Sequence, residues 1–146
     1  MPLSHLQLDL QRLPAPLPIW RGTVGPGAWV AAARAIADHG GRLVAMWGVS
    51  RGTSANTTSA CAAFAVPDGL VWLDLPIAEG EAAFPDLSAT FPAANRMQRA
   101  MADLSGLQAT GAQDQRAWLN HGLWPADHPP LQPGPVPPGH DTLPAD

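Results

Sequence analysis

The stretch from Arg42 to Leu75, RLVAMWGVSRGTSANTTSACAAFAVPDGLVWLDL, carries the strongest strand pattern in the chain. Three apolar runs stand in it, Arg42 to Val49, Ser59 to Val66 and Leu70 to Leu75, each the length of a strand. Val66-Pro67-Asp68-Gly69-Leu70 joins the last two with the Pro-Asp-Gly chemistry of a tight hairpin turn. Ser50 to Ser59, rich in Ser, Thr, Asn and Gly, reads as a longer polar loop. Three strands joined in this way pair antiparallel.

Working outward, Ala28 to His39 is a run of helix formers with Trp29, Ala32, Ala33 and Ile36 at helical spacing, introduced by Pro26-Gly27 and stopped by Gly40-Gly41. A second helix is expected from Phe91-Pro92-Ala93-Ala94-Asn95, where proline suits the first turn, with Met97, Met101 and Leu104 on one stripe and Gly106 at its end. Residues Asp114 to Asn120 are predicted as a short third helix. Before the first helix, Leu6, Leu8 and Leu10 alternate with Gln7, Asp9 and Gln11 as in a half-buried strand, until Pro14, Pro16 and Pro18 stop the pattern. Between Pro76 and Phe91 the chain reads as irregular. The predicted fold is α+β, a small mainly antiparallel sheet with two main helices and an extended proline-rich C-terminal tail. Its organisation divides into an N-terminal strand and Pro/Gly-rich lead-in (1–27), the α+β domain (28–124) and the tail (125–146), where eight of 22 residues are proline.

A chain of 146 residues with 46% hydrophobic content fits one domain with one core. The net charge is −4, and the eight basic residues, all Arg, are scattered along the sequence, which argues against nucleic acid as a partner. Cys61 alone cannot form a disulfide within the chain or hold an iron–sulfur cluster, and its apolar surroundings predict a buried, inert thiol. The first residues show neither a basic region nor a long apolar one, and no run of 18 apolar residues occurs; a cytoplasmic chain without a membrane span is the expectation.

Candidate chemistry is sparse. Gly48-Val49-Ser50-Arg51-Gly52 is a literal G-x-S-x-G, and Asp103 and His121 follow in the order of a hydrolase triad. That motif requires a helix directly after the serine, whereas Thr53 to Thr58 is a poor helix start. A small serine hydrolase using Ser50 is therefore the alternative rather than the leading reading. The five histidines, His5, His39, His121, His128 and His140, show no metal-ligand spacing. Glu79 and Glu81 flank a glycine as a solvated turn would, and Gly22, Gly25 and Gly27 do not follow a strand as a dinucleotide fingerprint does. No catalytic, cofactor-binding or metal residue is expected.

The six tryptophans separate by context. Trp29, Trp47 and Trp72 fall in predicted elements and read as core. Trp118 and Trp124 lie in Arg116-Ala117-Trp118-Leu119-Asn120-His121-Gly122-Leu123-Trp124-Pro125, a segment rich in the residue types that dominate interface hot spots.

From Phe91 to Leu107 (FPAANRMQRAMADLSGL) the sequence resembles the 30-kilodalton subunit of respiratory complex I, the family with the Glu-Arg-Glu-x-x-Asp signature. The likeness is closest to the corresponding domain of formate-hydrogenlyase-type, membrane-bound nickel–iron hydrogenases. Arg99, Asp103, Leu104 and Gly106 match the pattern without a gap, and Arg116 and Leu119 fall at its later spacing. Gln98 and Ala100 stand where the family has Glu, Ser105 where it has an apolar or aromatic residue, Ala112 where it has a base, and Trp118 where it has an aliphatic side chain. The resemblance extends over Gly40 to Val44, Pro67 to Leu73, Phe84 to Ser88 and His121 to Pro125, and so over about residues 28–131.

The resemblance implies a cofactor-free structural subunit of an NADH–quinone oxidoreductase or formate hydrogenlyase type of assembly. Such a subunit docks to the large subunit beside the neighbouring iron–sulfur subunit, peripheral at the inner face of the membrane. The residues expected to dock are Arg96, Gln98, Arg99, Asp103, Arg116, Trp118 and Trp124. Arg99 and Asp103, at i and i+4, are expected to pair on one side of the helix. A stand-alone adaptor that kept the fold is a further alternative.

Overall fold

The computed structural model describes residues 3–51, 57–78, 80–120, 122, 124–125 and 129–131. The tail beyond Leu131 and the candidate residues Glu79, His121, His128 and His140 lie outside that set. The strands are β1 (Gln11–Arg12), β2 (Ile19–Thr23), β3 (Arg42–Arg51), β4 (Thr57–Val66), β5 (Gly69–Ile77), β6 (Ala83–Pro85) and β7 (Gln108–Thr110). The helices are α1 (Pro26–Asp38) and α2 (Ala94–Ser105). Five strands form one sheet in the order β1-β2-β5-β4-β3, antiparallel except where β2 runs parallel to β5; β6 and β7 pair separately and parallel. The fold is α+β.

The meander β3-β4-β5 is the framework, as its sequence pattern predicts. Asp68 turns β4 into β5, and Gly69 at φ 129° opens β5 in a conformation that L side chains rarely adopt. A Cβ there would run into the Pro18 carbonyl, the group that receives the Leu70 N–H at 2.9 Å. The hairpin glycine thus also lets β2 approach β5. Beyond Asp74 the last β2 partner is gone, and Pro76 occupies a stretch of β5 with only β4 beside it, where a missing N–H is tolerated.

Alternation splits the sheet residues by face. Met46, Ala60, Ala62, Phe64, Val71, Leu73, Leu75 and Ile77 point into the core with Trp29, Ala32, Ala33 and Ile36 of α1. Helix α2 adds Ala94, Gln98, Met101 and Ser105 as its buried face, so of the predicted Met97, Met101 and Leu104 stripe only Met101 is fully inside. Gly48 of β3 lets this helix end come close, because a Cβ there would meet Ser105 and Leu107 at 2.9–3.0 Å. Among the described residues no helix covers the opposite face, and Trp47 and Trp72, expected in the core, instead meet on it at 5.5 Å with tilted rings, half-buried.

Five other expectations are corrected. The alternating leucines do not make a strand: Leu3–Leu6 is a short 3₁₀ turn, and only Gln11–Arg12 pairs. Strand β2 follows Pro18 directly, and β6 lies inside the segment read as irregular. Pro92 precedes α2 rather than entering its first turn, since Ala93 is the N-cap. Asp114–Asn120 is not helical, for a reason that lies in α2.

Candidate functional site

The inner face of α2 fixes the loop that leads into it. Gln98 is 3% exposed; its Oε1 accepts the Leu87 N–H at 2.8 Å and its Nε2 donates to Asp86 Oδ1 at 2.7 Å. The Ser88 N–H and hydroxyl donate to the same Asp86 oxygen at 2.9 and 2.6 Å. Burial would raise the Asp86 carboxyl, but these donors outweigh it and hold the group below its usual value. Gln98 is therefore an internal bracket with no surface to offer a partner.

The outer face fastens residues 114–120 and Trp124 as a strap. The Arg99 side chain, 11% exposed, sends Nε to the Arg116 carbonyl at 2.8 Å and Nη2 to the Ala117 carbonyl at 3.3 Å. Its Nη1 reaches Asp114 and Asn95, each at 3.3 Å. Asp103 Oδ2 accepts the backbone N–H groups of Trp118 (2.7 Å), Leu119 (2.5 Å) and Asn120 (3.1 Å). The expected pairing of Arg99 with Asp103 is thus replaced: each side chain grips a different part of the strap. With these N–H and carbonyl groups bound to side chains, the segment cannot close the i to i+4 ladder of a helix.

Further contacts complete the strap. Trp124 Nε1 donates to the Asp103 carbonyl at 3.2 Å, and Asn120 Nδ2 to the Trp124 carbonyl at 3.1 Å. Asp114 accepts both Nε (2.9 Å) and Nη2 (2.8 Å) of Arg116 and also its backbone N–H. Sequence reasoning passed over Asp114; the Asp-x-Arg spacing, which permits an Asx turn, was the available signal.

Two guanidinium groups lie over the Trp118 ring, Arg99 at 5.0 Å and Arg96 at 5.2 Å from its centre. Trp118 stays 38% exposed, as does Leu119, and the Arg116 side chain is 79% exposed. Of the seven residues assigned to docking, Arg96, Arg116 and Trp118 reach the surface, Trp124 is half-buried, Gln98 is buried, and Arg99 and Asp103 are occupied by the strap.

The strap carries a pH dependence. Burial would raise the Asp103 carboxyl, but the Leu119, Asn120 and Trp118 amides and the nearby Arg99 more than offset that and lower it. The Arg116 hydrogen bonds likewise push Asp114 well down. A lowered carboxyl stabilises the folded state fully above the ordinary Asp range and loses that contribution as pH falls through the lowered value. The amide resonances of Trp118, Leu119 and Asn120 should therefore titrate together, with a midpoint below about 3.9, the ordinary Asp value. A midpoint at the ordinary value would refute the clamp.

On the uncovered sheet face, Arg21 binds Asp74 through Nε (2.6 Å) and Nη2 (3.3 Å) and lies 4.0 Å over the Trp72 ring. Cys61 beneath them is fully buried and donates to Asp74 Oδ1 at 3.2 Å; burial first, then Asp74, pushes its thiol up to about 12, so it stays protonated. A groove of about 800 Å³ opens beside this pair, lined by Gln11, Thr23, Val49, Ser59 and Pro76. Ser50 lies in extended β3 opposite Thr58 and not at a strand-to-helix turn, so the nucleophile geometry is not built there. Among the described residues, no three His, Cys, Asp or Glu side chains gather as a metal site.

The geometry around α2 coincides with the sequence signature, and the family model described as respiratory-chain NADH dehydrogenase, 30 Kd subunit, matches residues 23–135. The chain belongs to this family. The 30 Kd subunit family supplies one subunit of a multi-subunit respiratory complex, so membership implies protein partners and an assembly of the complex I kind. Among solved structures, the trypsin-resistant fragment of Nqo5 is similar, with a TM-score of 0.59 and 14% identity over 77% of this chain and 95% of that one. At that identity the likeness supports the fold of the 30 Kd subunit family alone. None of the curated proteins compared matches the chain. No helix among the described residues is long and apolar enough to cross a membrane.

Proposed function

We propose that the chain is a non-catalytic structural subunit of a complex I-like or membrane-bound nickel–iron hydrogenase-type assembly, docking to its large subunit. The assembly would be of the NADH–quinone oxidoreductase or formate hydrogenlyase type, with an iron–sulfur subunit as neighbour, at the inner face of the membrane. The docking unit is the α+β domain, whose sheet also includes β1 and β2. The observation that carries this reading is the strap on α2: it presents Trp118 and Leu119 outward from a backbone already fixed by Asp103, so little ordering is left to do on binding. The uncovered sheet face does not offer the same combination of exposed aromatic, exposed cations and rigid backbone.

The test is co-expression of the full chain with the large subunit, followed by retrieval through a tag on the former. The wild type retrieves the large subunit, and Trp118→Asp lowers recovery about tenfold, the effect of losing a modest hot spot. Equal recovery of variant and wild type would remove the strap from the interface. Failure of the wild type to retrieve the large subunit would overturn the proposed function.

A further inference from the structure

The charges of the α2 surface do not balance outward. Asp103 is taken by three backbone N–H groups, and Asp114 by Arg99 and Arg116. Both carboxylates of the strap are therefore engaged within it. Arg96 is exposed and has no carboxylate within 4 Å among the described residues, although the chain as a whole is acidic. Its guanidinium carbon lies 5.2 Å from the centre of the Trp118 ring, within cation–π reach, and its N–H donors, unmatched by a carboxylate there, are left for an incoming acceptor.

We infer that Arg96, Trp118, Leu119 and Arg116 form a recognition surface for an acidic segment of a partner protein. A carboxylate binds the edge of Arg96, and an apolar side chain beside it packs on Trp118 and Leu119. This rests on the docking reading above and names the chemistry that reading leaves open. A carboxylate is favoured over a phosphate chain because only Arg96 and the solvent side of Arg116 are available, too few cations for binding driven by counterion release. The backbone carrying Trp118 and Leu119 is held by Asp103 before the partner arrives, which favours one orientation of the bound segment.

Two arms test this. In the first, the full chain is titrated with a short amidated peptide of alternating Glu and Phe, with a Lys–Phe counterpart and with a single-stranded oligonucleotide. The Trp118 indole and Leu119 amide resonances should shift with the acidic peptide alone, and Arg96→Glu should weaken the effect at least tenfold. Arg96→Lys should fall between, because an ammonium keeps the charge without the fork. No shift in the wild type, or a stronger one with the oligonucleotide, would overturn the inference. In the second arm, wild type and Arg96→Glu are co-purified with the large subunit at low and high salt. Loss on charge reversal, with wild-type recovery falling as salt rises, supports the acidic contact. Salt-insensitive assembly with no effect of Arg96→Glu overturns the inference and leaves the docking reading intact. Because Arg96 is exposed, an unchanged thermal midpoint serves as the folding control.

Discussion

Trp29→Ala is expected to cost about 3–5 kcal/mol of stability, the range for deleting a large aromatic from a packed core. Domains of ordinary stability hold about 5–15 kcal/mol in all, so the variant would be near its threshold. Trp29 is fully buried, meets Phe84 of β6 edge-on at 6.3 Å and donates from Nε1 to the Pro85 carbonyl at 3.2 Å. One side chain therefore fills the space between α1 and the sheet and also ties down the short strand β6. Truncation leaves a cavity and removes the indole donor from the Pro85 carbonyl, and both effects act in the same direction. Urea unfolding followed by far-ultraviolet circular dichroism measures the loss; a change below about 1 kcal/mol would mean that the core collapses around the site without penalty.

Asp103→Ala should act locally. Removing one carboxylate orphans three strap amides, Trp118, Leu119 and Asn120, and frees the residues whose other anchors are Arg99 and Trp124. With about 2 kcal/mol lost from local opening, trypsin should cut after the exposed Arg116 roughly 30-fold faster. The midpoint of global unfolding should move little, because the core does not depend on the strap. Equal cleavage rates in variant and wild type would show that the strap is held elsewhere. Asp103→Asn should lie between, since an amide oxygen still accepts while its NH₂ opposes neighbouring donors.

What the sequence made legible follows from the length of each signal. The meander and α1 declare themselves through runs of six residues or more, and Gly40, Gly69 and Gly106 mark ends with positive φ where glycine belongs. Strand β2 was hidden because Pro14, Pro16 and Pro18 mask its start and because its pairing partner, β5, is remote in the chain. Strands β6 and β7 have three residues each, too few for a period to show. The α2 signature was readable as a motif, yet its purpose was not. Spacing shows that Arg99 and Asp103 share a helix face but cannot reveal that backbone groups fifteen and more residues onward compete for them. Gln98 shows the same limit, since a polar residue on a helix reads as surface until a buried loop is seen to require its amide.

The parallel seam between β2 and β5 also sets an order of assembly. The β3-β4-β5 meander pairs neighbours along the chain, so its loops close cheaply. Ile19 meets Leu70 only after α1 and two strands have been laid down between them. Non-local pairing of that kind comes late in folding. The N-terminal segment should therefore join last, and weakening the seam at Ile19 should slow the final step of folding more than the formation of the meander.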